Sequence, residues 1–359
     1  MTKFNIQHGI YKNILRPIIF NFDAEKVHNL TTNFGESIEN MEWLLETLYS
    51  YKNEKPKKSL LGIDFDNPIG LGAGFDYDGH LTKTMKHLGF GFNTVGTVSA
   101  KPYEGNKPPR MTRLIKSKSI LVNKGFKSDG AAVIAKRLDQ KNLKNHNVGI
   151  SIGNSNIPSV NTLSKAIDDY LFTFGLFNKR KYVRYFELNI SCPNIIIRES
   201  FKSMENIKRL IKEINKLKVK KPIFMKMHNE IEFEESDKIV KTCLDSGIQG
   251  FIFANLIGNR QNIALNKSEV SDIKELKGGL SGKPTFDGSN RLIAHTRQKF
   301  GKNVVIIGSG GIFNAQDALV KFKNGADLIQ IVTGLIFEGP QIAGDINSQL
   351  IKNKFYLDR

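Results

Sequence analysis

Cysteine is scarce: Cys192 and Cys243 are the only two in 359 residues. Two thiols do not make a disulfide framework, and a reducing cytoplasmic setting is expected. Long apolar runs are missing as well. None approaches the roughly 20 residues that a membrane-spanning helix requires. The start, MTKFNIQHGIYKNILRPIIFNF, lacks the continuous apolar stretch and small-residue site of a signal peptide, so cleavage is not expected. No C-x-x-C or H-x-x-x-H pair argues for a metal site. Acidic residues are outnumbered, 35 against 53 lysines and arginines, which leaves a formal charge of +18. Such an excess can mark a nucleic-acid or anionic-membrane partner. The lysines are spread over nearly every segment, which reads as a solvated surface, and no nucleic-acid partner is expected.

What is present is a steady alternation. Strand-like runs occur at PIGLGAG (68–74), GFNTVGT (91–97), NVGISIG (147–153) and YFELNIS (185–191). Four more follow at PIFMKM (222–227), GFIFAN (250–255), NVVIIGSG (303–310) and DLIQIVTG (327–334). Between them lie segments of helical period. SMENIKRLIKEINKLK (203–218) puts Ile207, Leu210, Ile211 and Ile214 on one face. Eight strands alternating with helices predict an α/β fold, a closed (β/α)8 TIM barrel. A doubly wound sheet is the alternative, and the missing G-x-G-x-x-G fingerprint with its distal acid counts against it. The first 52 residues differ: YKNILRPIIFNF (11–22) and MEWLLETLYSY (41–51) are amphipathic and helix-like, and KNEKPKK (52–58) reads as a linker. A small N-terminal helical module (1–52) joined to a barrel (53–359) is expected.

In such a barrel the chemistry sits at the C-terminal strand ends. Those ends are rich in glycine and polar residues here. GSGG (308–311) and VTG (332–334) match the phosphate site built by the loops after strands seven and eight. Lys226 ends an otherwise apolar strand, where an ammonium could neutralise charge developing on a cofactor. Cys243, in SDKIVKTCLDSG, reads as core. Cys192 lies in the polar turn NISCPN (189–194) and could act as nucleophile or proton acceptor.

Longer motifs carry a resemblance. NPIGLGAGFDYDG (67–79), GFGFNTVGTVSAKPYEGNKPPRMTRL (89–114), NISCPN, GGLSGKP (278–284), IIGSGGI (306–312) and LIQIVTGLIFEGP (328–340) resemble the dihydroorotate dehydrogenases, in order and over essentially the whole chain. LRPIIFNFDAEKVH (15–28) looks like the helical extension of the membrane-associated, quinone-using class. The resemblance implies an FMN-containing barrel that oxidises dihydroorotate to orotate in pyrimidine biosynthesis. It would be reoxidised by quinone, and be cytoplasmic or peripheral on the inner face of the cytoplasmic membrane.

Carried over position by position, the resemblance implies cofactor contacts from Gly72, Ala73, Gly74, Thr97, Asn123, Ser151, Asn189, Lys226 and Ala254. Gly282, Gly310, Gly311, Val332 and Thr333 would surround the phosphate end. Tyr77, Asn123, Gly125, Phe126, Asn189, Asn194, Asn255 and Leu256 would meet the substrate. Side-chain amides suit a ring of imides and carbonyls, since each offers a donor and an acceptor. Cys192 would be the base, and Lys226 would serve the reduced flavin's negative edge.

Several positions depart from the family pattern. The quinone-using class carries serine where Cys192 stands, while the soluble classes carry cysteine. The family lysine after AGFD is Tyr77, an expected third-strand asparagine is Ser151, and Thr-Asn-Thr is Ala254-Asn255-Leu256. The N-R-M-G-F turn shortens to Asn123-Lys124-Gly125-Phe126, and the Thr-Pro-Gly after NISCPN becomes Ile195-Ile196-Ile197. A second enzyme reading follows: the same barrel and flavin acting on another small unsaturated or cyclic substrate, unless Lys124 or His80 supplies the cation missing at Tyr77. A flavoprotein resembling the tRNA dihydrouridine synthases would need an RNA-binding domain beyond Pro340. Cys192 and Lys226 argue against a non-catalytic binding protein.

Overall fold

A computed structural model describes residues 3–51, 56–190, 201, 203–253 and 255–353. Each of the eight expected runs overlaps one barrel strand. These are β1 (Ile69–Leu71), β2 (Phe92–Val98), β3 (Val148–Ile152), β4 (Val183–Leu188), β5 (Ile223–Lys226), β6 (Gly250–Phe253), β7 (Val305–Ser309) and β8 (Leu328–Ile331). They pair in parallel in chain order and close, with Ile329 of β8 opposite Ile69 of β1. Every residue of β2 and β3 is buried, as expected of parallel strands covered on both faces. Around them the helix Met204–Lys216 turns Ile207, Leu210, Ile211 and Ile214 inward. Cys243 is buried on the helix Phe233–Asp245, and burial pushes its thiol up to about 12, an inert core group.

The lower barrel is filled by aromatic rings set against glycines. A Cβ on Gly70 would come within 2.2 Å of the Phe92 ring, and one on Gly149 within 2.2 Å of Tyr185. A hairpin of Lys58–Leu60 and Ile63–Phe65 plugs this end by adding Ile63 and Phe65 to the same cluster. Lys58 therefore opens a strand instead of closing a linker; residues 52–55 lie outside the described residues. Above the rings, Glu187 Oε1 accepts hydrogen bonds from Thr94 Oγ1 and Gln330 Nε2, each at 2.6 Å.

Two features surround the opposite, C-terminal end. Met111–Leu114, Ser119–Val122 and Gly279–Leu280 form an antiparallel sheet that the sequence reading did not anticipate. Of the N-terminal helices Lys3–Ile10, Tyr11–Leu15, Arg16–Ile19, Ala24–Ser37 and Glu42–Tyr49, the fourth packs beside it, while the first rests on the helix Ile342–Lys352 and the last on Thr82–His87. Asp23 caps the fourth, accepting from Lys26 N at 2.9 Å. Anchors tie them to the barrel: Tyr11 Oη donates to Ile336 O at 2.7 Å and Arg16 Nη1 to Phe337 O at 2.9 Å. Ile14, Leu15 and Ile18 remain exposed. Among the described residues, no helix is long and apolar enough to cross a membrane.

Candidate active site

The C-terminal strand ends open into one cavity of about 1140 Å³, part of it open to solvent. Its glycine end is made by the turns after β7 and β8 and by the Gly282 loop. Gly282, Gly310 and Gly311 adopt φ of +80°, +93° and +72°. A Cβ on Gly310 would lie 2.4 Å from Thr285 Oγ1, and one on Gly311 2.6 Å from Phe286 Cβ. Only glycine fits such turns, and they bring backbone amides close to whatever enters. Val332 and Thr333 line the same end, with Thr333 Oγ1 2.9 Å from Ser281 Oγ.

The middle of the cavity is lined by Ala73, Gly74, Thr97, Asn189 and Lys226. The β2–β3 register shifts between Val95 and Val98, beside Thr97. Thr97 Oγ1 accepts from Asn189 Nδ2 at 3.0 Å and lies 3.0 Å from Ser151 Oγ. Ser151 thus stands behind Thr97, and Gly72 lies beneath the lining, where a Cβ would meet Val332 Cγ2 at 3.1 Å. Lys226 ends β5, is buried at 8% exposure, and lines the cavity. No hydrogen bond or ion pair to its ammonium occurs among the described residues. An ammonium left so would be costly without an anionic or electron-rich partner.

The third wall is formed by Tyr77, Lys124, Gly125, Phe126, Asn255 and Leu256. The turn presenting Tyr77 is tied by the buried Asp76, whose Oδ2 accepts from Leu81 N at 3.2 Å and Thr82 Oγ1 at 3.1 Å. Asn255 Nδ2 approaches Asn189 Oδ1 at 3.5 Å, while Asn255 Oδ1 accepts from Leu256 N at 3.0 Å. Asn123 is set back from the lining, its Oδ1 accepting from Asn106 Nδ2 at 2.9 Å. Of the two candidate cations, Lys124 lines the cavity, with Nζ 4.1 Å from the Tyr77 ring centroid. His80 lies outside the lining and pairs with Glu36 Oε2 at 2.7 Å. His28 packs edge-on against Tyr77 at 5.3 Å, and burial followed by Lys124 and Lys127 pushes its imidazole down to about 3, so it is neutral. Cys192, Asn194 and Ala254 lie outside the described residues.

Sequence reasoning missed the apolar end. Met111, Ile120 and Val122 of the covering sheet, with Ile312 and Ile336, continue the cavity toward Phe20 and Ala24 of the N-terminal helices. The signal was two short β-like runs, MTRL and SILV, flanking the polar turn 115–118. The whole lining suits a ligand with a phosphate tail, seated at the glycine cradle, and a ring that gains negative charge beside Lys226.

Comparison with known proteins agrees with this geometry. The family model for dihydroorotate dehydrogenase matches residues 56–353. A Christiangramia forsetii protein named dihydroorotate dehydrogenase (quinone) is 35% identical over 353 residues, covering 96% of this chain and 99% of the relative. A Brucella anthropi protein of the same name is 31% identical, over 94% and 90% of the two chains. The crystal structure of the Eimeria tenella enzyme in complex with ferulenol superposes with a TM-score of 0.78 at 25% identity, covering 93% of each chain. With a family match spanning the barrel and relatives matched nearly end to end, the chain belongs to the dihydroorotate dehydrogenase family.

Proposed function

We propose that this protein oxidises dihydroorotate to orotate with FMN and returns the electrons to a quinone. Family membership implies a flavin; FMN is the form that ends in a single phosphate, which the glycine cradle would hold. Ala73, Gly74, Thr97, Asn189 and Lys226 would line its ring, and Gly282, Gly310, Gly311, Val332 and Thr333 its phosphate end. When bound, the flavin supplies the two-electron oxidant that takes hydride from C6 of the substrate. Lys226 carries this reading: a buried ammonium in the same cavity as the cradle, with no partner among the described residues. It would stabilise negative charge that is absent before the reaction and present after it, a differential effect of the kind that lowers a barrier.

The remaining steps belong to side chains. Asn189 and Asn255, with Asn123 and Asn194, would present donors and acceptors to the ring imides and carbonyls. Gly125 and Phe126 would add backbone contacts. Cys192 would take the proton from C5, a role that contributes about 10²–10⁴-fold in typical enzymes. The substrate wall keeps Leu256, which favours a less polar substrate, but Lys124 supplies a cation beside Tyr77.

The helical module (1–52) meets the barrel (53–359) at the apolar end of the cavity, where Phe20 and Ala24 face Met111 and Ile120. A quinone would approach there, from a membrane surface touched by Ile14, Leu15 and Ile18 beside Lys12. Arg16 and Ile19 lie outside this exposed face: Arg16 is bonded to Phe337 O, and Ile19 is half-buried. Localisation would then be peripheral, at the inner face of the cytoplasmic membrane. Anaerobic dihydroorotate should bleach the bound flavin, and a short-chain quinone should restore its colour. Cys192→Ala should lose orders of magnitude in the bleaching step, while Cys192→Ser should retain part of it at a higher pH optimum. A flavin that dihydroorotate leaves oxidised, or full activity in the alanine variant, refutes the corresponding part.

A further inference from the structure

We infer that Lys124 is the residue that recognises the substrate's carboxylate, and that Glu25 of the N-terminal helix Ala24–Ser37 is its positioning residue. This rests on the dihydroorotate reading, because dihydroorotate and orotate carry a carboxylate where a simple pyrimidine has none. Three lysines line the cavity: Lys124, Lys127 and Lys226. Lys226 stands among the residues of the cavity's middle. The side chain of Lys127 is 26% exposed and that of Lys124 only 5%. Lys124 thus combines deep burial with a place on the wall shared with Asn255 and Leu256.

Its ammonium is held without being saturated. It sits on the face of Tyr77, 4.1 Å from the ring centroid, a cation–π seat. Glu25 Oε1 lies 3.8 Å away, an ion pair too long for a hydrogen bond. No hydrogen bond from Nζ occurs among the described residues, so its N–H donors are available to a ligand. Glu25 cannot neutralise the group alone. The same oxygen is 3.0 Å from Arg110 Nη1 and 3.9 Å from Lys127 Nζ, so one carboxylate faces three cations. Asp78, whose carboxyl burial pushes up to about 6, is still largely ionised at neutral pH, and with Glu25 it sets two carboxylates against the three cations. The neutral His28 contributes no charge. A buried cluster with positive charge in excess is completed by an anion, and a carboxylate bonded to an ammonium gains a charge-assisted hydrogen bond.

The chain's local conformation supports the placement. Gly125 and Phe126 both have φ of +65°. A Cβ on Gly125 would meet Asn106 Oδ1 at 2.7 Å, so the tight turn that delivers Lys124 admits only glycine there. Glu25 lies two residues after the capping Asp23, in the first turn of its helix, which ties the N-terminal module to substrate recognition as well as to the apolar end.

The test is a titration of the flavin-loaded protein with orotate and with uracil, alongside dihydroorotate kinetics. Lys124→Met should weaken orotate binding about ten- to a hundred-fold. Uracil binding and flavin content should be unchanged. Lys124→Arg should recover much of the affinity, and adding Tyr77→Lys to Lys124→Met should restore it by returning an ammonium to the same wall. Burial holds Lys124 down to about 8, against the opposing pull of Glu25, with Arg110 lowering and Asp78 raising it. Orotate affinity of the unaltered protein should therefore fall above about pH 8, and Glu25→Gln should move that fall to lower pH. This readout stands even if a Lys124 variant folds poorly. Dihydroorotate turnover with equal orotate affinity in Lys124→Met overturns the inference and leaves the proposed reaction standing. Lys124-dependent orotate binding with no flavin reduction by dihydroorotate does the reverse. An unaltered protein that binds no orotate overturns both.

Discussion

Replacing Lys321 by methionine isolates the cost of a charge buried beneath the glycine cradle. Lys321, on the helix Ala315–Lys323, is fully buried. Its Nζ donates to Ser289 Oγ at 2.8 Å and Phe286 O at 3.3 Å, and lies 4.8 Å from the Phe286 ring centroid. Burial pushes its ammonium from 10.5 down to about 7, with Asp317 and Asp287 pulling the other way. Each tenfold in that gap corresponds to about 1.4 kcal/mol, so the cost of the buried charge reaches roughly 5 kcal/mol. The folded-state value is depressed for a base, so between about pH 7 and 10.5 the unfolded chain binds more protons. Stability contributed by this group therefore rises with pH across that window and is lowest below it. Methionine is of similar volume and carries no charge, while Ser289 Oγ keeps Ser309 O at 2.6 Å as partner. Against the relief stand two lost hydrogen bonds, about 1 kcal/mol each. Lys321→Met should stabilise the protein by about 1–3 kcal/mol at pH 7. The advantage should shrink by about 1.4 kcal/mol per pH unit and vanish before pH 10. Urea unfolding followed by circular dichroism at several pH values measures it. A difference that does not vary with pH, or a marked loss at pH 7, refutes the reasoning.

Lys226→Ala should retain the fold but slow flavin reduction or empty the site; flavin content and stopped-flow bleaching measure it, and unchanged values would remove Lys226 from the chemistry. Gly311→Ala places a Cβ 2.6 Å from Phe286 Cβ at a φ of +72°. The backbone term alone is about 1–2 kcal/mol, and flavin affinity should fall by at least ten-fold. Ile14→Glu with Ile18→Glu should abolish binding to anionic vesicles while dihydroorotate still bleaches the flavin; retained vesicle binding would assign those exposed side chains another purpose.

The N-terminal module also changes meaning once its contacts are known. The sequence suggests a helical module joined to a barrel. Glu25 beside Lys124 and His28 against Tyr77 place one of those helices against the cavity wall formed by these two residues. Point changes such as Ile14→Glu are therefore better probes of the acceptor side than deletion of residues 1–52, which would remove Glu25 as well.

Local patterns were sufficient for the barrel. Largely apolar runs of six to eight residues alternating with helices of period 3.6 specify which segments become strands. Gly310 and Gly311 at the end of β7 mark a turn that only glycine can make. The long motifs carried the family for the same reason, since each is continuous in sequence and needs no tertiary contact to be recognised. Tertiary structure decided what continuous stretches do not encode. Lys124, rather than His80, reaches the cavity because a tight turn carries it across Tyr77, while Glu36 holds His80 elsewhere. Glu187 becomes the centre of a buried network only when strand closure brings Thr94 and Gln330 to its carboxylate. Glu25 meets Lys124 across 99 positions of sequence, an encounter with no periodic signature, fixed by a capped helix packed at the barrel's mouth.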